Sequence, residues 1–171
     1  MAIVSAMPVP EVIPIAHEPD YRTATIGKFG DGQFFASVTW AYRDGYTRSW
    51  GSPNDHKRIY AVLHTFDVEG HHLSSNIWHG GTYTDQLRLQ DSSAGDDPVT
   101  RARARLDRLL DALPGRTYTD IAIRPFQVVF DGALFGLIVE QHDEEEREDN
   151  WAELYPDGLG FHEPWNGLYD T

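Results

Sequence analysis

Apolar and polar positions alternate with a two-residue period over much of the chain, and that period predicts strands. Thr23 to Phe29, the turn Gly30-Asp31-Gly32 and Gln33 to Arg43 read as a hairpin, with Phe34, Ala36, Val38, Trp40 and Tyr42 on one side. Asp44-Gly45 suits a tight turn, so Tyr46 to Trp50 is expected to return as a short strand. Gly51 to Lys57, with Pro53 and Asn54, reads as a loop. Arg58 to Phe66 and His71 to Trp78 form a second hairpin around Asp67-Val68-Glu69-Gly70. The last hairpin joins Tyr118–Phe130 to Ala133–Gln141 across Asp131-Gly132. Its turn register sets Phe126, Val128 and Phe130 beside Phe135, Leu137 and Val139, the cross-strand pairs that stabilise a sheet. The other side, with Ile121, Ile123, Val129, Leu134 and Ile138, is also apolar, so both faces should be covered. Pro125 cannot donate to a ladder and demands a bulge or an edge.

One stretch changes period. After the Gly-, Ser- and Asp-rich loop from Gly80 to Asp96, Asp97 is an N-cap and Pro98 sits at the first helical position. Val99, Ala102, Leu106, Leu109, Leu110 and Leu113 then recur at helical spacing, until Pro114-Gly115 stops the run. Its polar side carries Arg101, Arg103, Arg105 and Arg108 with Asp107 and Asp111, the one basic stripe in the chain. The expected architecture is α+β: an antiparallel sheet of about six strands built from hairpins, with one long amphipathic helix packed on it.

Three regions are expected. Residues 1–22 form an extended Pro-rich arm that docks by Val9, Val12 and Ile13 or stays free. Residues 23–141 form the core domain, and residues 142–171 an acidic loop followed by an aromatic segment (Phe161, Trp165, Tyr169) packing back on it. The N-terminus lacks a basic start and is interrupted by Pro8, Pro10, Glu11 and Pro14, unlike a signal peptide. No run is apolar enough to span a bilayer, so a cytoplasmic location is expected. Met7 offers a second possible start.

The chain of 171 residues has a formal charge of −13, 40% hydrophobic and 12% aromatic residues, and no cysteine. It is long enough for one domain with a real core. Disulfides, thiolate metal sites and a cysteine nucleophile are excluded. The charge is local: from His142 onward ten acids face the single base Arg147, which leaves the rest of the chain only mildly acidic. Such a balance argues against nucleic acid or an anionic membrane as partner.

Candidate chemistry is sparse. In the second hairpin the turn register sets His64 opposite Leu73 with His71 diagonal on the same face and His72 on the other. Two imidazoles suit zinc, but no third or fourth ligand is identifiable, so no metal and no cofactor are expected. The acidic run Asp143 to Asp149 lacks the ligand offsets and Gly turn of a calcium loop. It reads as a solvated connection or a surface for a basic partner, with Glu144, Glu145 and Glu146 as its candidate contacts. There is no G-x-S-x-G elbow, P-loop or dinucleotide fingerprint, and no catalytic residue is expected. The segment from Trp40 to Trp50 is rich in the types that dominate protein interfaces: Trp40, Tyr42, Arg43, Tyr46, Arg48 and Trp50. The same rings would equally serve to fill the core and cover a sheet edge.

The stretches IPIAHEPDYRTATIGKFGDGQFFASV, YAVLHTFDVEG, RLDRLLDALPG, DIAIRPFQVVFDGALFGL and PDGLGFHEPWNGLYDT resemble a group of small actinobacterial proteins called formate hydrogenlyase regulatory proteins. The likeness runs from Val9 to Thr171. It implies a cytoplasmic regulator acting by contact with a transcription activator, and its shared turns and strand ends assign no site residue. The expected function is a non-enzymatic regulatory or adaptor protein that binds another protein, a basic one where the acidic run makes the contact. Two alternatives stand beside it: an immunity protein neutralising a toxin such as a basic nuclease, and a small-molecule binder or enzyme. The last requires a closed pocket of about 300 Å³ or more lined by the histidines or tryptophans.

Overall fold

The computed structural model describes residues 8–91, 94–141 and 150–171. Its architecture is α+β with antiparallel sheets, and strand periodicity on both faces explains why there is more than one. β3 (Gly32–Ala41) and β4 (Arg58–Asp67) pair along their whole length, from Gly32↔Asp67 to Ala41↔Arg58. Both strands are buried at odd and even positions alike, with apolar residues on each face and the polar Gln33, Ser37, Thr39, Arg58 and His64 on one of them, so each face needs its own cover. β2 (Ile26–Phe29), β5 (His72–Thr82) and the short β6 (Thr117–Tyr118) complete a five-stranded sheet in the order β5-β4-β3-β2-β6.

In place of the one long helix expected, the helices described are short, and α3 (Pro98–Asp111) covers one face. Ala102, Leu106 and Leu110 pack on Phe34, Ala36, Ile59, Ala61 and Leu63. Asp97 caps it by accepting from the Thr100 amide at 3.1 Å, and Pro98 occupies its first turn. The other face is covered by a second, four-stranded sheet, in place of the single sheet of about six strands that the hairpin pattern predicts. Its order is β11-β10-β9-β8, built from β8 (Phe126–Phe130), β9 (Ala133–Glu140), β10 (Trp151–Tyr155) and β11 (Leu159–Phe161). Phe126, Phe135, Leu137, Leu154 and Phe161 point inward to meet Phe35, Tyr60, Val62 and Phe66.

The chain breaks at Arg124-Pro125, between β7 (Ile121–Ile123) and β8, because proline ends the ladder. β7 is thereby free to pair with β1 (Ile13–Ile15), and all four isoleucines of that pair are buried. The Pro-rich segment therefore docks as a strand. The C-terminal residues close over the same end. Trp165 and Phe161 are buried, and the Ala16 amide donates to the Gly167 carbonyl at 2.9 Å. A Cβ on Gly167 (φ 90°) would stand 2.8 Å from that amide, so the approach requires glycine.

Several local expectations change. Because β3 pairs with β4 up to Ala41↔Arg58, residues 42–57 are the loop of one long hairpin, leaving no ladder for Tyr46–Trp50. Arg48–Trp50 instead form a 3₁₀ turn and Pro53–His56 a single helical turn, α1. The expected loop after Gly80 contains helix α2 (Tyr83–Leu89), held by a capping box between Thr82 and Asp85. The outer face of the second sheet has no covering layer among the described residues: Val129 is 65% exposed. None of the helices described is long and apolar enough to cross a membrane.

One side chain acts as a strand. Gln33, buried within β3, donates to the carbonyls of Asp67 (3.0 Å) and Ala122 (2.9 Å) and accepts from the Ala122 amide at 2.8 Å. It thus joins β7 to the five-stranded sheet. Replacing it with Ala takes its partner from the Ala122 amide and carbonyl, while the Asp67 carbonyl keeps the Gly70 amide at 3.0 Å, and Gln33→Ala is expected to lower the unfolding free energy by about 2 kcal/mol in urea titrations. Gln33→Glu should be no better, since a carboxylate cannot donate to the two carbonyls.

Candidate functional site

The end of β3 delivers the expected aromatic segment to the surface in two directions. Trp40 keeps the parity of Phe34 and Ala36 and turns to the helix side, edge-on to Tyr83 at 5.5 Å between ring centroids. The Lys57 ammonium lies 5.6 Å from its ring centroid, within cation–π range. Past Ala41 the chain leaves the sheet, and Tyr42, Tyr46 and Trp50 gather outside it. Tyr42 stacks on Tyr46 at 4.9 Å, and Trp50 meets Tyr46 edge-on at 5.9 Å. His56 completes the group, its ring 5.2 Å from Tyr46 and its Nε2 2.9 Å from the Trp50 carbonyl oxygen. Tyr42 and Trp50 remain 39% and 47% exposed. Arg43 and Arg48 are exposed beside them. Glu144, Glu145 and Glu146 lie outside the described residues.

This group borders an open cleft of about 410 Å³ lined by Tyr42, Arg43, Tyr46, Leu134, Tyr155 and Pro156 among others. Leu134 and Tyr155 also belong to the uncovered outer face of the second sheet, so cleft and face form one continuous surface. A second cleft of about 360 Å³ lies between the β2–β3 turn and Asp120–Ala122. Both are larger than about 300 Å³ but open to solvent, Trp40 lines the first and no histidine lines either, so neither is the closed pocket a small-molecule reading requires.

Behind the cleft the two sheets are joined by charge. Asp131 and Gly132, at φ 53° and 76°, make the tight turn from β8 to β9, where two successive residues must be left-handed. The turn points the Asp131 carboxylate at the first strands of the other sheet. Buried Arg58 binds it through Nη1 and donates from Nη2 to the Asp131 carbonyl at 3.0 Å. The Tyr60 hydroxyl donates to Oδ2 at 3.1 Å, and Arg43 lies 3.6 Å from Oδ1. His79 Nδ1 stands 4.0 Å away, and burial holds its pKa below the usual range against the pull of Asp131. Burial also pushes the Tyr60 phenol upward. Nothing in the sequence pairs Arg58 with Asp131, because they are separated by 73 positions. The Asp-Gly turn was the only visible signal.

Asp157, in the β10–β11 turn, is a second carboxylate at this seam. It reaches Ser37 at 3.5 Å, while its backbone carbonyl accepts from Arg22. Burial raises its pKa to about 6, against the lowering contributed by Thr39, Arg22 and Ser37.

The histidine pair differs from the expected one. The ladder pairs Ser75, not Leu73, with His64, and across a bulge between Thr65 and Phe66 it pairs His72 with Phe66. The extra residue exchanges the faces of His71 and His72. His71 leaves the sheet to meet Asp67 at 3.0 Å. His64 Nδ1 and His72 Nε2 instead flank the Ser75 hydroxyl at 2.6 and 2.7 Å, with Phe126 stacked on His72 at 4.6 Å. Burial, then the neighbouring His72, lower the His64 pKa to about 3, so this imidazole is neutral. Among the described residues no three His, Asp or Glu side chains converge to hold a metal.

No family model matches the chain, and neither the curated proteins nor the solved structures contain a match.

Two measurements test the seam. Asp131→Asn keeps a residue that tolerates positive φ but leaves Arg58 buried without an anion. It is expected to cost about 2–3 kcal/mol in chemical denaturation, less than for a fully buried pair because Asp131 keeps part of its hydration. The double variant Arg58→Met/Asp131→Asn should recover a good part of that loss. For Asp157 the folded pKa lies above the unfolded value of 3.8, so the folded state binds the extra proton. Its contribution to stability is full below about pH 4 and is lost as pH rises through about 6. Asp157→Asn should therefore be more stable than wild type at pH 7, with the difference shrinking toward pH 4. Urea midpoints across that range read the difference directly.

Proposed function

We propose that this protein acts by binding another protein, through the surface formed by Tyr42, Tyr46, Trp50, the adjoining cleft and the outer face of the second sheet. The observation that carries this reading is continuity. An exposed aromatic group opens directly onto an uncovered apolar sheet face, through Leu134 and Tyr155. Interface hot spots favour Tyr, Trp and Arg in such a setting, and an exposed apolar patch rimmed by polar groups is typical of interaction surfaces. The partner is basic: the chain carries −13, and Asp44, Glu140 and Glu153 lie around this surface. Electrostatic attraction would speed encounter, with the Glu144–Glu146 run adding to it. A regulatory or adaptor role in the cytoplasm follows most simply. Toxin neutralisation is the same mode of action with a different partner, and a secreted-toxin gene beside this one would favour it.

Capture of partners from the native host, followed by mass spectrometry, tests the reading when wild type is compared with Tyr46→Ala/Trp50→Ala. The double variant should keep the wild-type melting temperature and lose the partner, with affinity down about a hundredfold. Retention of every captured protein by the variant would sink the aromatic surface as the interface. Replacing Glu144, Glu145 and Glu146 with Gln should slow association and flatten its salt dependence, leaving dissociation nearly unchanged.

A further inference from the structure

The flank of helix α3 that faces edge strand β5 carries Arg101, Arg105 and Arg108 at helical spacing, and with Trp78 they line a pocket of about 220 Å³. Gly95 and Thr100 close it, and no acidic residue lines it among the described residues. In a chain of charge −13 this is an anomaly. None of the three guanidinium groups forms an ion pair or hydrogen bond with a described residue. The Nε of Arg105 is buried with no partner, a costly state for a cationic donor. Arg101 lies 5.4 Å from the Trp78 ring centroid, which fixes its guanidinium in place over the pocket. It also sits in the first turn of α3, at the positive end of the helix dipole, where a cation is disfavoured. Like charges three and four positions apart repel. Three unfavourable choices thus coincide in one concave place, and a bound anion would reverse the sign of each.

We infer that this pocket is a binding site for a small oxyanion of the phosphate type. Guanidinium groups present paired donors that match phosphate oxygens, and three of them suit a multiply charged group. The pocket size and the overall negative charge favour a small anion over a nucleic acid, which the rest of the surface would repel. Free phosphate and the phosphate group of a small ester share this chemistry.

The test titrates the full chain with inorganic pyrophosphate, inorganic phosphate and glycerol phosphate, at ionic strength held constant with sodium chloride. Melting temperature and calorimetric heat are the readouts. The expected result is a saturable rise in melting temperature with at least one of them. Phosphate binding as tightly as glycerol phosphate assigns the free anion, and the reverse order assigns an ester. Affinity should fall about tenfold in Arg101→Gln and Arg105→Gln and stay unchanged in Arg103→Gln, on the other flank of α3. Without anion, Arg105→Gln should melt at or above the wild-type temperature, because it relieves repulsion. Should it fail to fold, Arg108→Gln, an exposed position, takes its place. A response no greater than that to sodium chloride, or one equal in the Arg105 and Arg103 variants, overturns the proposal.

Discussion

Strands β3 and β4 are buried on both faces, and the layers on either side of them answer that demand. Phe34, Ala36, Ile59, Ala61 and Leu63 require a cover on one side, and Phe35, Tyr60, Val62 and Phe66 require another. A helix meets the first demand because its apolar stripe is about as wide as two strands. A second sheet meets the other, since the inner faces of β8 to β11 are equally apolar. The order of hairpins and helix along the chain follows from this need for two covers.

The join between the two sheets is where polar groups had to be admitted. Arg58, Tyr60 and Asp131 lie along it at the rim, where β3 ends and the cleft begins, and Ser37 with Asp157 lies along it further into β3. A carboxylate here is tolerated only with partners. Asp131 has them, and Asp157 meets the cost by holding its proton up to about pH 6. The aromatic cluster grows out of the same rim. Tyr42 and Tyr46 follow the last paired residue of β3, and Asp44 donates its amide to the Gly132 carbonyl of the Asp131 turn at 2.7 Å. The rigidity of the ion cluster is thus passed directly to the surface that carries the proposed interaction.

Much of this was legible in the residues. The turn at Asp131-Gly132, its pairing Phe130↔Ala133 and the Asp97-capped helix follow from local chemistry that neighbours cannot override. What escaped depends on distance or on one residue. The bulge after Thr65 adds a single position, and since the side-chain period is two it exchanges His71 for His72. The apolar outer face of β8 and β9 predicted a cover that none of the described residues supplies. The residues most prone to mislead, Val129 and Leu134, proved to be those bordering the candidate site. Helix α2 carried a readable sign, the Thr82–Asp85 capping pair, but its seven residues are too few for a clear period. Arg58 with Asp131, and Ser37 with Asp157, are brought together only by the stacking of one sheet on the other.

That stacking also separates the two surfaces with unmet demands. The arginine flank of α3 lies on the layer covering one face of the five-stranded sheet, and the aromatic surface lies with the layer covering the other. A field of −13 acts on both, in opposite senses. It would draw the basic partner proposed above toward the acidic side from beyond contact range, so that affinity there could rest on a few rings. A small anion receives no such help and must approach against the field. Only local, preformed positive charge, such as Arg101, Arg105 and Arg108 set side by side, would hold it against that field.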